Sequence, residues 1–331
     1  AQAKVRHARY FCEYLTKWED LAHTGLEAES ERALSAEHPN LEAAWYQALD
    51  LGWWEYLKKG GATLGLSYLG VGRPFTWNEL LRAAQARVPP DSSTWALLEV
   101  HESSMDEFAG RHQEAYDRRA RAVDILRATD DEHSLAWALL LFAESARSFG
   151  KPMEARTALT EARAIFQELD EPNLLGMVLL HLLNSADDQD DFLAYHRAGT
   201  EVWHRTGHAP QLWAATLSHA SFIADVNGEY AEALKHATEA RDWFIGQAVV
   251  MLDAAEASAL CGRLHLSMGD LDAASTATED ALRLWPSVRE VFRLGEPQLL
   301  AQLARVLYVR GDLAGASAVV APGAPAGSTL E

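Results

Sequence analysis

Apolar and small residues recur along this chain at spacings of three and four positions, in stretches that end at a glycine followed by polar residues. Such spacing predicts amphipathic α-helices. The clearest example runs from 255 to 268, turns at Gly269, and continues from 271 to 284 before Trp285-Pro286. It predicts two helices joined by a tight turn, with the proline ending the second helix.

The glycine turn returns at a regular interval. It occurs at Gly110, Gly150, Gly228, Gly269 and Gly311, and successive copies are 40, 78, 41 and 42 residues apart. The interval of 78 equals two steps of 39, which places a degenerate copy between Gly150 and Gly228. A fixed period of this size indicates a solenoid of stacked helical pairs. Each glycine is expected to end a helix in the left-handed conformation.

Small and large residues keep fixed distances from these glycines. Alanine stands five positions after each glycine and, in four copies, again seven positions further on: Ala115, Ala155, Ala233, Ala274 and Ala316, then Ala122, Ala162, Ala240 and Ala281. These alanines predict a close approach of two helices. Phe166, Trp243 and Leu284 are expected to fill the seam to the next pair.

The pattern divides the chain into a cap, a repeat array and a tail. Residues 1–50 are helical but do not follow the repeat, and they predict an N-terminal helical cap or linker. Residues 51–320 predict the array, of which 51–90 is divergent and 93–320 is regular. Residues 321–331 are rich in Pro, Gly, Ala and Ser and predict a disordered tail. The predicted fold is all-α, a right-handed superhelical solenoid of helical hairpins with a period of about 40 residues.

The regular part predicts six helical pairs, of which the third is the degenerate copy. They are 93–108 with 113–127, 134–149 with 153–169, 174–186 with 190–205, 211–226 with 230–244, 255–268 with 271–284, and 297–310 with 313–320.

Three local signals stand out before the regular part. Asn40 precedes the apolar run 41–49 and is expected to cap that helix. Thr76 is expected to cap a helix over 76–87. Gly60-Gly61 interrupts the stretch 53–68, where a kink or turn competes with an unbroken helix.

The copy at 255–286 resembles a tetratricopeptide repeat. Gly262 stands at that family's small position in the first helix, Ala274 and Ala281 stand at the small positions of the second, and Pro286 stands at the end. The period here is about 40 residues, whereas that family's is about 34. Long-helix variants of this kind look like the repeats of bacterial regulators of the STAND class, which are multidomain signalling ATPases.

The N-terminal segment is similar to the stretch that joins the ATPase and winged-helix part of such regulators to their repeats. The similarity lies in Arg6-His-Ala-Arg-Tyr-Phe and in Glu37-His-Pro-Asn-Leu-Glu-Ala-Ala-Trp45. The family's second motif reads His-Asp-Asn-Leu, and Pro39 replaces the aspartate here. The resemblance implies a cytoplasmic signalling or transcriptional regulator with ATPase and effector domains upstream. These 331 residues contain no phosphate-binding motif Gly-x-x-x-x-Gly-Lys-Ser/Thr.

Composition narrows the classes of function. The chain carries 48 acidic against 29 basic residues, a formal charge of −19, which opposes direct binding of nucleic acid. No apolar run reaches the roughly 20 residues that a membrane-spanning helix needs. The two cysteines, Cys12 and Cys261, form no disulfide framework and favour a reducing cytosolic compartment.

Candidate chemistry is sparse. The 13 histidines show no His-Glu-x-x-His pattern, and for His181 and His196 a structural or surface role is preferred to metal binding. The acidic run 187–191 lacks the glycine and the distal glutamate of a calcium loop, so it is interpreted as a turn whose aspartates cap the next helix. Ser103-Ser104 does not lie in the Gly-x-Ser-x-Gly motif that surrounds a nucleophilic serine. We therefore expect no catalytic, cofactor or metal site.

Aromatic residues crowd the first third of the chain: Trp45, Trp53, Trp54, Tyr56 and Trp77. Core packing is the preferred interpretation, because aromatic side chains fill the space between helices well. A ligand cage is the alternative.

In the resembling family the first helix of each pair lines the concave face. Alignment on the glycines then predicts a binding surface of Trp137, Leu140, Glu144, Arg147, Ser218, Phe222, Asp225, Ala259, Arg263, Leu266, Gln298, Arg305 and Tyr308. Mixed charges and aromatic groups suit a peptide or a helix of a partner protein. The main hypothesis is a non-catalytic sensor that binds a protein partner or an inducer. The alternative is a small-molecule or peptide-pheromone receptor with a closed pocket, and a catalytic accessory domain is a third hypothesis.

Overall fold

The computed structural model describes residues 2–22, 27–186, 188–247, 251–284 and 295–320. Within these ranges the chain forms 17 α-helices and one π-helical segment, and none of these residues forms a strand. The predicted all-α fold is therefore confirmed. The tail 321–331 and the pair Trp285-Pro286 lie outside the described residues.

The helices follow one another with short connections. The first eight are α1 (Gln2–Ala22), α2 (Glu27–Ala36), α3 (His38–Leu51), α4 (Trp54–Gly70), α5 (Pro74–Gln85), α6 (Ser93–Phe108), α7 (His112–Arg127) and α8 (Glu132–Ser148). The others are α9 (Pro152–Glu168), α10 (Pro172–Leu183), α11 (Gln189–Thr206), α12 (Ala209–Phe222) with the π-helical segment Ile223–Asn227, α13 (Tyr230–Gln247), α14 (Met251–Met268), α15 (Leu271–Leu284), α16 (Gly295–Arg310) and α17 (Leu313–Val320).

These helices form two compact units, one within residues 1–209 and the other within 210–331. In the first unit, each helix from α6 to α10 packs against the next one along the chain. In the second unit, α13 packs on α14, α14 on α15, α15 on α16 and α16 on α17. All six predicted pairs are present, including the degenerate one, which is α10 with α11.

The turn glycines have the predicted conformation. Gly110, Gly150, Gly228, Gly269 and Gly311 all have positive φ, between 70° and 90°. In that region a side chain beyond Cα would meet the backbone, so glycine ends the helix at the least steric cost. The periodic turn signal is therefore a direct consequence of backbone sterics.

Eight of the nine predicted small positions are buried, and the ninth, Ala316, is half-buried. Ala115, Ala155, Ala233 and Ala274 are at most 1% exposed, and Ala122, Ala162, Ala240 and Ala281 are completely buried. At Gly262 of α14 an added Cβ would lie 2.5 Å from Thr278 Oγ1 and 3.2 Å from the Ala274 carbonyl oxygen of α15. The seam between α14 and α15 therefore has no room for larger side chains.

Replacing Ala274 with leucine is expected to lower the free energy of unfolding by about 1–3 kcal/mol, because the added atoms overpack this seam. Thermal and denaturant unfolding of the purified chain measures the change. Thr276→Leu, at an exposed position of the same helix, is the matched control and should leave the melting temperature nearly unchanged. Equal melting temperatures for the two variants would contradict the packing described here.

Both predicted N-caps are wrong, and proline explains why. Helix α3 begins at His38 with Pro39 in its first turn, and α5 begins at Pro74, so neither Asn40 nor Thr76 is a cap. Proline favours the first helical positions because its φ is preset and its missing N–H has no helical partner to lose. Asn40 instead donates to Glu37 Oε2 at 2.7 Å, and its Oδ1 is 3.1 Å from His7 Nε2.

Helix α4 runs unbroken through Gly60-Gly61, so the turn considered from the sequence does not occur. An added Cβ at Gly60 would lie 2.4 Å from Leu15 Cδ2 of α1. At Gly61 it would lie 3.0 Å from His101 Nε2 of α6. The two glycines therefore serve close packing of α4 against two other helices.

The aromatic residues of the first third form part of the core. Trp45 and Trp77 are each 2% exposed, with ring centroids 5.6 Å apart, and Trp45 Nε1 donates to the Leu80 carbonyl oxygen at 3.1 Å. Tyr68 stacks on His38 at 3.9 Å between centroids. For Trp45 and Trp77 the core interpretation is confirmed.

Candidate binding surface

In the second unit, hydrogen bonds join the first helices of three successive pairs. Arg263 of α14 donates to Ser221 Oγ at the end of α12 and to Asp225 Oδ1 in the π-helical segment, both at 2.7 Å. Gln302 of α16 donates to the Ala259 carbonyl oxygen of α14 at 2.8 Å. The predicted residues Asp225, Ala259 and Arg263 are thus brought together on adjacent helices.

We call the side-chain set on these helices the first-helix surface. It comprises Ser218, Ser221, Phe222, Asp225, Ala259, Arg263, Leu266, Arg305 and Tyr308. Tyr308 is 66% exposed, and Arg305 and Asp225 are also exposed, whereas Phe222 and Leu266 are half-buried. The side chain of Gln298, which the sequence also placed here, lies outside the described residues.

The pair Arg263–Asp225 holds α14 to the end of α12. Both side chains are about half exposed, so the pair contributes little to stability, but it fixes the direction of the guanidinium. Ser221 and Gln302, which sequence analysis missed, complete these contacts between helices. Only the three-dimensional structure shows them, because the partners are separated by about 40 residues.

The predicted binding residues of the first unit differ from one another in how far they are buried. Leu140 is completely buried in the core, Trp137 is half-buried and Arg147 is exposed. Glu144 Oε1 of α8 lies 3.3 Å from His181 Nε2 of α10. Helices α8 and α10 therefore present a carboxylate and an imidazole side by side, while Leu140 contributes to packing and not to a surface.

A buried arginine of α7 lies against α6 and α8 in the first unit. Arg119 of α7 is 1% exposed. It donates to Ser103 Oγ at 2.7 Å, to the Leu141 carbonyl oxygen at 2.6 Å, to Ser145 Oγ at 2.8 Å and to Glu107 Oε2 at 2.8 Å. One guanidinium thus joins α6, α7 and α8, with a carboxylate to balance its charge.

His101 of α6 is buried close to this arginine. Burial, and next the positive charge of Arg119, lower the pKa of His101 to about 4. The folded state therefore holds His101 neutral at pH values where an unfolded chain would protonate it. Stability from this group is complete above the ordinary pKa of about 6.5 and is lost as the pH falls from there towards 4.

We expect the free energy of unfolding of the parent chain to fall by about 2 kcal/mol between pH 7 and pH 5 on account of His101. In His101→Leu this part of the decrease should vanish. Exposed His133 offers the control, since His133→Leu should keep the full decrease. The measurement is denaturant unfolding of the three proteins at both pH values, and identical pH dependence in all three would contradict the burial of a neutral imidazole.

The described part of the acidic run, residues 188–191, caps a helix. Asp188 Oδ1 accepts from the Asp191 backbone N–H at 2.8 Å and caps α11, as expected of a turn in this run. Among the described residues, no group of three or more His, Cys, Asp or Glu side chains has the geometry of a metal site. Cys12 and Cys261 are free thiols and are buried. None of the described helices is apolar over a length that would cross a bilayer.

Comparison with solved structures supports the fold. A Rap protein complexed with Competence and Sporulation Factor aligns with 94% of this chain and 89% of its own, at 14% identity and a TM-score of 0.62. A STAND protein with a tetratricopeptide repeat sensor, from Pyrococcus horikoshii, aligns with 96% of this chain and 51% of its own, at 13% identity and a TM-score of 0.57. Aspartyl phosphate phosphatase F from Bacillus subtilis aligns with 85% and 73%, at 14% identity and a TM-score of 0.55.

Comparison by sequence matches a smaller part of the chain than comparison by structure does. The family model of anaphase-promoting complex subunit 5 matches residues 105–189. The search of curated proteins gives no significant match. Together with the structural likenesses, the helical pairs show that the chain has a fold of helical repeats like that of tetratricopeptide repeat proteins. The resemblance first carried by Gly262, Ala274 and Ala281 is thus confirmed at the level of the fold.

Proposed function

We propose that this chain is a non-catalytic binding module that engages a protein or peptide partner along the first-helix surface. The observation that carries the proposal is the row of three first helices, joined through Arg263 and Gln302, that leaves Arg305 and Tyr308 exposed. Such a surface grows by one set of side chains from each repeat, which suits a ligand that extends along several repeats.

The side chains of the surface indicate the chemistry of the partner. Tyrosine and arginine are the residues that most often dominate binding energy at interfaces, and both are exposed on α16 as Tyr308 and Arg305. Phe222 of α12 and Leu266 of α14 add half-buried apolar area to the first-helix surface. The proposed partner is therefore a peptide segment with an apolar side chain near an acidic one, where the guanidinium of Arg305 would meet a carboxylate.

The setting we propose is the sensor region of a bacterial signalling or transcriptional regulator. The fold likeness to a STAND protein with a tetratricopeptide repeat sensor supports it, as does the likeness to a Rap protein complexed with Competence and Sporulation Factor. In this proposal an ATPase and an effector domain belong to the parent chain, and residues 1–50 join them to the repeats. The module would act in the cytoplasm, where Cys12 and Cys261 stay reduced.

A site-specific crosslinking experiment tests the proposal. Peptides are first selected on the wild-type chain from a random library displayed on phage, and the tightest binder is synthesised. A photoreactive phenylalanine analogue is then placed at Tyr308 or, as the matched control, at Tyr230, an exposed tyrosine of the second helix α13. We expect the peptide to crosslink from position 308 and not from 230. Crosslinking from 230 alone, or failure to select any binding peptide, would refute the proposed surface.

A further inference from the structure

One arginine of the first-helix surface is already bound by groups of its own chain. Arg263 Nη1 donates to Asp225 Oδ1 and Arg263 Nη2 donates to Ser221 Oγ, both at 2.7 Å. Ser221 Oγ in turn donates to Asp225 Oδ2 at 3.3 Å. A carboxylate and a hydroxyl of the preceding repeat therefore occupy both terminal nitrogens of this guanidinium.

The next repeat has the same arginine but not its partners. Arg263 and Arg305 each stand six residues before the turn glycine of their own repeat. Three residues before the turn glycine, the repeat of α12 has Asp225 and the repeat of α14 has Leu266. Seven residues before it, the serine is likewise replaced, by Gly262. Arg305 is exposed, and within the described part of the chain it forms no hydrogen bond or ion pair.

The stability of its own helix does not explain the carboxylate of Asp225. The π-helical segment ends at Gly228, so Asp225 lies in the last turn, where a negative charge opposes the helix dipole. The pair with Arg263 is about half exposed on both sides, and such pairs contribute little to stability. The main consequence of Asp225 is that it fills the anion-binding position of Arg263, whereas the equivalent position at Arg305 is empty of charge.

Resting on the proposed first-helix surface, we infer that the partner carries one aspartate or glutamate side chain whose carboxylate binds Arg305 as Asp225 binds Arg263. Arginine and carboxylate pair strongly because two N–H groups can donate to two oxygens at once. Leu266 and Asp225 determine the specificity: Leu266 leaves Arg305 open to the partner, and Asp225 closes Arg263 to it. The surface therefore accepts a single acidic residue, at the α16 end.

Peptide selection on three forms of the full chain tests this specificity. The same random library displayed on phage is selected on the wild-type chain, on Leu266→Asp and on Asp225→Leu. We expect one enriched acidic position for the wild-type chain and none for Leu266→Asp, in which Arg305 gains a partner of its own chain. Asp225→Leu opens Arg263 and should add a second acidic position. Packed helices lie roughly 8–10 Å apart, so that position should be about three residues away in an extended peptide of about 3.3 Å per residue.

Affinity measurements make the test quantitative. The peptide selected on the wild-type chain is synthesised with a C-terminal amide, in its acidic form and with the enriched acidic residue changed to asparagine or glutamine. The wild-type chain should bind the acidic form at least tenfold more tightly than the amide form. Leu266→Asp should remove this preference. Leu266→Asn, which loses the same leucine without adding charge, and Ser267→Asp, which adds the charge at an exposed neighbouring position, are the matched controls and should keep it.

The outcomes separate this specificity from the binding surface itself. Peptides that crosslink from position 308 but bind the wild-type chain equally well in acidic and amide form would overturn the assignment of the carboxylate and leave the surface in place. This comparison needs no variant, so it decides the question even if Leu266→Asp fails to fold. A preference for the acidic form that persists in a folded Leu266→Asp would overturn the role of Leu266. Failure to select any peptide would refute the proposed function and this specificity with it.

Discussion

Replacing Arg119 with alanine is expected to destabilise the chain by about 3–5 kcal/mol. The change removes the guanidinium that joins α6, α7 and α8 through Ser103, the Leu141 carbonyl and Ser145. It leaves the carboxylate of Glu107 without its cation and creates a cavity at a position that is 1% exposed. Denaturant unfolding followed by circular dichroism measures the loss.

Arg127 provides the matched control, because it lies on the same helix and forms an exposed pair with Glu161. Arg127→Ala should cost no more than about 1 kcal/mol. If Arg119→Ala were as mild as this control, the hydrogen bonds assigned to the buried guanidinium would not hold the three helices together.

The sequence allowed the helices and turns to be predicted because both depend on neighbouring residues. Gly150 and Gly269 end helices through their own φ angles, and the alanine spacing reports the face on which a helix meets its partner. The helix starts failed at Asn40 and Thr76, where a proline sets an earlier first turn than the capping side chains suggest. A rule that ranks proline above the cap would have placed both starts within one residue of the observed ones.

The periodic pattern did not predict which side chains make contacts between helices. Leu140 was placed on the binding surface by alignment, yet in the structure it is completely buried. The spacing of small residues did indicate that Arg119 is buried, because Arg119 stands four residues after Ala115 and three before Ala122, on the buried face of α7. An arginine is ordinarily expected at the surface because of its charge. The burial of Arg119 depends on Ser103 and other partners that are distant in sequence.

The second large effect concerns binding. The double change Arg305→Ala with Tyr308→Ala is expected to weaken the binding of a peptide selected on the wild-type chain by about 30- to 1,000-fold, since truncating a central tyrosine or arginine costs about 1–2 kcal/mol each. Both side chains are exposed, so the melting temperature should change little. Fluorescence anisotropy of the labelled peptide gives the affinities.

The control variant replaces the same two residue types, one tyrosine and one arginine, on second helices. Tyr230→Ala in α13 with Arg283→Ala in α15 removes an exposed tyrosine and an exposed arginine. This variant should bind the peptide as the wild-type chain does. Equal affinities for both double variants would remove Arg305 and Tyr308 from the interface.

Hydrogen exchange measured by mass spectrometry, with and without the selected peptide, tests the central claim most directly, because it reports every helix at once. We expect slower exchange in α14 and α16 on binding and unchanged exchange in α13 and α15, since the first helices carry the surface. Protection confined to α13 and α15 would contradict the assignment of the first-helix surface, and so would a bound peptide that protects no helix of the second unit.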